Sequence, residues 1–314
     1  MKKVLVTGAA GSIGLFTIKY LLSEGKYEIT ALDLKNSWSH KRLKKYRRRI
    51  NIIYGDVSNP ILMDALVKDH DYIIHLAGVM PPLADMKKDL STLIDYKGTE
   101  NIIRAITFFN PKCYLIYPSS TTVYGNCKEE VTIKNKVCVK EQDYYSKTKF
   151  DTEKLIKNKL KNYTIFRIPI TLANPKNETF IYNGNKDDKI EVTTNRDVAY
   201  LLVRAIDYDT KLKGKIYNVG GGETCITTYR ELLINILEIY GLSFNFILSK
   251  LFLDKNFYGH VYKDSKELEE ILHFRNDSLA SYYMRLKRSS KNRAFNRILA
   301  KPIIWLLKRE EQGE

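Results

Sequence analysis

Short runs of consecutive apolar residues alternate with longer stretches whose apolar positions recur at helical spacing. Residues 4–6 predict a strand and 12–23 the helix after it. Strands are expected at 28–32 and 50–54, a short helix at 63–68 and a buried strand at 72–76. A helix over 93–108, a strand at 113–117, a helix over 147–159 and a strand at 163–168 continue the series. Continuous apolar strands belong to parallel sheets covered on both faces. The pattern therefore predicts an α/β fold, a doubly wound parallel sheet over residues 1–170 with return segments near 190–220. Beyond residue 171 the alternation weakens, and residues 171–283 read as a small substrate lobe. The stretches 197–206 and 229–240 are the clearest helices after residue 171.

The turn between the first strand and first helix reads VLVTGAAGSIG, with Gly8, Gly11 and Gly14 in it. A tight turn and a close approach of backbone to a pyrophosphate both favour glycine. The helix N-terminus behind the turn adds N–H donors and a partial positive charge. Asp33 closes the second strand, nineteen residues beyond Gly14. A carboxylate there accepts both adenosine ribose hydroxyls and repels a 2′-phosphate, which favours NAD over NADP. Together these features give the Rossmann type of dinucleotide site. One complication is the basic run that follows: Lys41 or Arg42 folded back to the ribose would neutralise a 2′-phosphate.

Tyr145 and Lys149 lie four apart on one helix face. A tyrosine is about three units too weakly acidic to act as a base at neutral pH, and a neighbouring ammonium favours the phenolate. Ser120 ends a strand, at the sheet edge where such folds bind ligands, and its hydroxyl is placed to hold a reacting oxygen.

These residues resemble the extended short-chain dehydrogenase/reductase family, also called the NAD-dependent epimerase/dehydratase family. The resemblance runs from Val4 to about Leu233, about three quarters of the chain. TGAAGSIG is similar to the family's TGxxGxxG, with Ser12 and Ile13 between its last two glycines. Asp56 and Val57 resemble its adenine-contacting pair, and His75-Leu76-Ala77-Gly78 its HLAA segment. YKGTEN from Tyr96 is similar to VxGTxN, PSSTTVYG from Pro118 to SSxxVYG, and YSKTKFDTE from Tyr145 to YxxSKxxxE. Asp197-Val198-Ala199 and YNVGGG from Tyr217 resemble later landmarks. The match implies Tyr145 as acid/base, Lys149 as its electrostatic partner and a holder of the nicotinamide ribose, and Ser120 as the oxygen holder.

Four departures narrow what the resemblance implies. The family's dehydratases carry an Asp-Glu pair directly after the catalytic hydroxyl, where this chain has Thr121 and Thr122. Neither is an acid or base at neutral pH, so sugar dehydration and uronic acid decarboxylation are not expected. Asp95 stands where the family usually has Asn. Nucleotide-sugar members read RxxNVYGP, whereas this chain reads RIPITLANP, with Ile170 at the substrate-contacting Asn. Only about thirty residues separate Arg167 from Asp197, where many sugar epimerases carry a longer insertion. Thr121 and Ile170 are therefore the substrate-facing candidates beside Ser120.

The chain has 314 residues and a net charge of +16, and two segments hold the whole excess. Residues 41–49 have seven basic residues and 284–309 have nine, with no acid in either. The remaining 279 residues carry 36 charges of each sign, which excludes a protein basic all over and leaves no case for nucleic acid. The tail, residues 284–314, places Phe295, Ile298, Leu299, Ile303, Leu306 and Leu307 at helical spacing among its basic residues, interrupted at Pro302. Such a helix packs on the body or a partner subunit, or lies with Trp305 in an anionic membrane interface. The four cysteines show no CxxC spacing, so no metal is expected and a reducing compartment is. There is no signal-like opening and no run of eighteen apolar residues, so a cytoplasmic protein, peripheral to a membrane if the tail docks there, is expected.

The expected activity is hydride transfer between NAD and a secondary alcohol or ketone carbon of a nucleotide sugar, by a homodimeric epimerase or reductase. The first alternative is a dehydrogenase or reductase of a steroid-like or small carbonyl compound. The second is an inactive NAD-sensing module.

Overall fold

The computed structural model describes residues 1–125, 127, 130–140, 143–173, 187–240 and 259–290. Seven parallel strands form the main sheet: β1 (Lys2–Thr7), β2 (Tyr27–Asp33), β3 (Asn51–Tyr54), β4 (Tyr72–His75), β5 (Tyr114–Ser120), β6 (Tyr163–Ile168) and a late strand, Lys215–Asn218. Their spatial order is late strand, β6, β5, β4, β1, β2, β3. The chain reverses its direction of travel across the sheet between β1 and β4, so a crevice opens beyond their carboxyl ends. This is the doubly wound Rossmann fold that the alternation predicts.

Local sequence explains where the helices begin. Helix Pro60–Lys68 starts earlier than expected because Asn59 accepts from the N–H groups of Ile61 and Leu62, and Pro60 suits the first turn. Helix Tyr144–Lys159 begins where the Asp143 carboxylate accepts from Ser146 N–H at 3.0 Å. The basic run forms helix Ser37–Leu43 and a following turn, with Leu43 buried beneath an exposed basic face. The expected helix over 93–108 is two pieces, a π-helical stretch at Thr92–Lys97 and an α-helix at Gly98–Phe109.

Both faces of the sheet are covered. Val4, Val6, Ile29, Ala31, Ile74 and Ile116 pack on one side, and Leu5, Leu32, Ile73, Leu115 and Ile165 on the other. Helix Asn195–Asp207 packs on Ser12–Glu24 and puts Val198, Leu201 and Leu202 into the first of these layers. It is therefore part of the sheet domain, with the late strand that follows it.

A smaller cluster joins Leu172, Ile190, Val192, Tyr229, Leu232, Leu233, Ile236, Tyr282 and Leu286. Short strands Lys189–Glu191 and Ile226–Thr228 pair antiparallel within it. Helix Leu279–Ser289 packs on helix Tyr229–Ile239 and runs across residue 284, where the basic tail begins. The apolar positions of the tail beyond residue 290 lie outside the described residues. Among the described residues no helix is long and apolar enough to cross a membrane, and no cluster of metal-ligating side chains occurs.

Candidate active site

The glycine turn leaves β1 and presses against the end of β4. Gly8 has φ +63°, and a Cβ there would lie 2.7 Å from the backbone of Leu76 and Ala77. A Cβ on Gly14 would lie 2.5 Å from the Gly8 carbonyl. Only glycine fits at either position, because the obstructing atoms are backbone. The helix behind begins at Ser12, with no acid in its first turn and no side-chain cap, so Ser12 and Ile13 open an N-terminus suited to an anion.

Asp33 ties this turn to β2. Its Oδ2 accepts from Ala10 N–H at 2.8 Å and its Oδ1 from Leu34 N–H at 2.8 Å. Burial raises the carboxyl above its usual range against these two hydrogen bonds and the field of Arg42. Arg42 lies 4.4 Å over the Trp38 ring, turned in from the exposed face of its helix. Of the two basic residues that could fold back, Lys41 is exposed, while Arg42 is half-buried and its field reaches Asp33. Asp56 is spent in part on its own turn, accepting from Ser58 N–H at 2.8 Å. Val57 is buried against Gly98, where a Cβ would come within 2.6 Å of Val57 Cγ2. Leu76, Ala77 and Gly78 line the other side of the crevice at the end of β4, and Thr7 Oγ1 accepts from Ala77 N–H at 3.1 Å.

The second half of the site sits at the end of β5. Ser120 is its last residue, and its Oγ accepts from Thr122 N–H at 3.2 Å. Tyr145, Lys149 and Ser120 are all buried and come together there. The Tyr145 hydroxyl reaches Met80 Sδ at 3.8 Å, and Ser120 beside it favours the phenolate. Lys149 Nζ lies 5.8 Å from the Tyr145 ring centre, 3.4 Å from Tyr117 Oη and 3.5 Å from the Pro118 carbonyl. Burial raises the Tyr145 phenol above its usual value; Lys149 opposes this and Asp95 adds to it.

Thr121 is buried beyond Ser120, 3.5 Å from the Ile168 carbonyl. Ile170 is half-buried against the small-lobe cluster, and its carbonyl accepts from Thr193 N–H at 3.0 Å.

Several residues of the site had no role assigned from sequence. Asp85 accepts from Tyr145 N–H at 3.1 Å and so helps Asp143 fix the start of the helix. An acid directly before a helix was a legible signal at Asp143; nothing local marks Asp85. His75 bridges Thr7 Oγ1 at 2.7 Å and Thr99 Oγ1 at 3.0 Å. Burial holds its imidazole down to about 3, so it is neutral. Asp95 is buried next to Lys149, 3.7 Å from its Nζ.

Comparison with known proteins shows a family and a fold. The NAD dependent epimerase/dehydratase family matches residues 4–178, more than half of the chain. A bifunctional polymyxin resistance protein ArnA from Wigglesworthia glossinidia brevipalpis is 25% identical over 308 residues, covering 84% of this chain and 46% of the relative. The chain spans less than half the length of the curated relatives it matches. A UDP-glucuronic acid 4-epimerase from Bacillus cereus, solved with NAD, is 20% identical with a TM-score of 0.74, covering 92% of this chain and 99% of its own. A dTDP-glucose 4,6-dehydratase from Streptomyces venezuelae, solved with NAD, is 19% identical with a TM-score of 0.76, covering 93% and 98%. At these identities the likeness is one of fold, and it favours neither epimerase nor dehydratase.

Proposed function

The chain belongs to the NAD dependent epimerase/dehydratase family and its cofactor is NAD, and from that premise we propose that it moves hydride at a secondary alcohol or ketone carbon of a nucleotide sugar. The observation that carries this is the meeting of Tyr145, Lys149 and Ser120 at the end of β5, beside the glycine turn. NAD, when bound, supplies the hydride acceptor and donor. Gly8, Gly11, Gly14 and the first turn at Ser12 and Ile13 would take its pyrophosphate, and Asp33 the adenosine ribose. Asp56 and Val57 would flank the adenine, and Leu76, Ala77, Gly78 and Lys149 the nicotinamide end.

Ser120 holds the substrate oxygen and Tyr145 takes its proton as the alcohol is oxidised. Lys149 favours the phenolate against the burial that opposes it. In an epimerase Tyr145 returns the proton after the sugar turns over; in a dehydrogenase the cycle ends after the one oxidation, and in a reductase Tyr145 instead gives a proton to the ketone oxygen as the carbon takes hydride. Thr121 and Thr122 carry no ionisable group, which speaks against the elimination step of a dehydratase. The short segment between Arg167 and Asp197 supports a small substrate lobe.

A second reading, a non-nucleotide carbonyl substrate, draws on Met80 beside the Tyr145 hydroxyl and on apolar Ile170. A panel of UDP- and dTDP-sugars against hydroxy and keto compounds separates the two. NADH absorbance reads net redox and NMR reads epimerisation. Turnover confined to the non-nucleotide compounds would overturn the first reading.

A further inference from the structure

Asp95 is a carboxylate inside the sheet domain, on the π-helical stretch Thr92–Lys97. Its two oxygens are treated differently. Oδ2 accepts from Val79 N–H at 3.1 Å and from Ser91 Oγ at 3.1 Å. Oδ1 is fully buried and has no hydrogen-bond donor among the described residues. It faces Lys149 Nζ at 3.7 Å. A buried acceptor with no donor is costly, more so when charged, unless a charge answers it. Gly78 makes the meeting possible, since a Cβ there would lie 2.6 Å from Asp95 Oδ1 and 3.7 Å from Lys149 Nζ.

The other ionisable groups around this pair are engaged or neutral. His75 is neutral between Thr7 and Thr99. Glu153 is taken up by Arg167 and Ser119. Asp85 accepts from Tyr145 N–H, Asp143 caps Ser146, and Lys88 lies over the Tyr144 ring. Tyr117 and Tyr145 are buried phenols. Asp95 is thus the carboxylate that faces Lys149.

We propose that Asp95 is the counter-charge of Lys149, a positioning residue that holds the ammonium among Gly78, Tyr117 and Pro118 and limits how strongly it favours the Tyr145 phenolate. A carboxylate beside the ammonium cancels part of its field at the phenol and repels the phenolate directly. Both effects have one sign: removing the charge makes Tyr145 easier to ionise. The inference rests on Tyr145 as the acid/base.

The test is the ultraviolet absorbance of tyrosinate against pH, in NAD-loaded protein, taken as the difference from a Tyr145→Phe counterpart. Asp95→Asn keeps an acceptor for Val79 and Ser91 and removes the charge. Its Tyr145 midpoint should fall by about one pH unit, a tenfold change in the phenolate-to-phenol ratio at fixed pH. Asp95→Ala, which removes the charge together with the acceptor, should move it the same way and serves if the amide variant does not fold. Retained NADH binding identifies folded protein. An unchanged or raised midpoint would overturn the proposal. The titration needs no substrate, so failure of the nucleotide-sugar reading shows in the substrate panel and leaves this result standing.

Discussion

The Glu153 carboxylate grips the Arg167 guanidinium through two hydrogen bonds, Nε to Oε1 at 3.0 Å and Nη2 to Oε2 at 2.7 Å, with both side chains buried. The pair ties the helix of Tyr145 and Lys149 to β6, and Ser119 Oγ donates to the same carboxylate at 2.5 Å. It thereby braces the helix against the strand that ends in Ser120. Arg167→Leu should cost about 3–5 kcal/mol, because it strands a buried carboxylate. Urea unfolding measures this, and a cost under about 1 kcal/mol would show that the pair carries little of the structure.

Tyr145→Phe removes the hydroxyl and keeps the ring among Val79, Ala84 and Ile94. Turnover on whichever compound the panel identifies should drop by about a hundredfold or more, the scale of a lost general acid/base. NADH binding, followed by fluorescence, should stay nearly unchanged. Full turnover in the variant would remove Tyr145 from the chemistry.

Gly8→Ala places a methyl 2.7 Å from the backbone of Leu76 and Ala77, at φ +63°. The left-handed conformation alone costs about 1–2 kcal/mol, and the clash forces the turn away from β4. NAD affinity should fall about tenfold or more, read by calorimetric titration. Gly25→Ala is the control: Gly25 also has positive φ, but a Cβ there meets nothing within 4 Å, so it should cost stability and spare affinity.

His75 gives a pH dependence of defined sign. Its imidazole is held down to about 3 by burial and then by Lys149, from an ordinary value of 6.5. Between those values the unfolded chain binds a proton that the folded chain refuses, so stability falls as pH falls through that window and is untouched above it. The network gives the reason. Thr99 Oγ1 donates to the Asp95 carbonyl and so accepts from His75 Nε2, while Thr7 Oγ1 accepts from Ala77 and is left to donate to Nδ1. His75→Asn should lose less stability than wild type between pH 6.5 and 5, by up to about 2 kcal/mol. Buried His260, held to about 4, has the same sign, and Asp197, raised to about 6, the opposite one. The informative quantity is therefore the difference between wild type and variant urea curves. Parallel curves at both pH values would refute a neutral His75.

The cofactor half of the site was legible in the chain because each of its demands is local. A glycine turn between a strand and a helix is a matter of φ, of Cβ volume and of helix-end N–H groups, and all three are set within Val4 to Gly14. Tyr145 and Lys149 share a face by helical spacing alone. The continuous apolar strands of the first half likewise made the covered parallel sheet legible. What sequence spacing could not state is which distant groups meet. Asp95 lies over fifty residues from Lys149, and a carboxylate on an apolar helix gives no sign that its π turn aims it beneath Gly78. Helix Asn195–Asp207 falls in the return segment expected near 190–220 and reads as amphipathic, yet only the fold shows that its apolar face packs on Ser12–Glu24. Periodicity names a buried face without naming what buries it, and a charge in the chain has no environment until the fold supplies the dielectric and the partner.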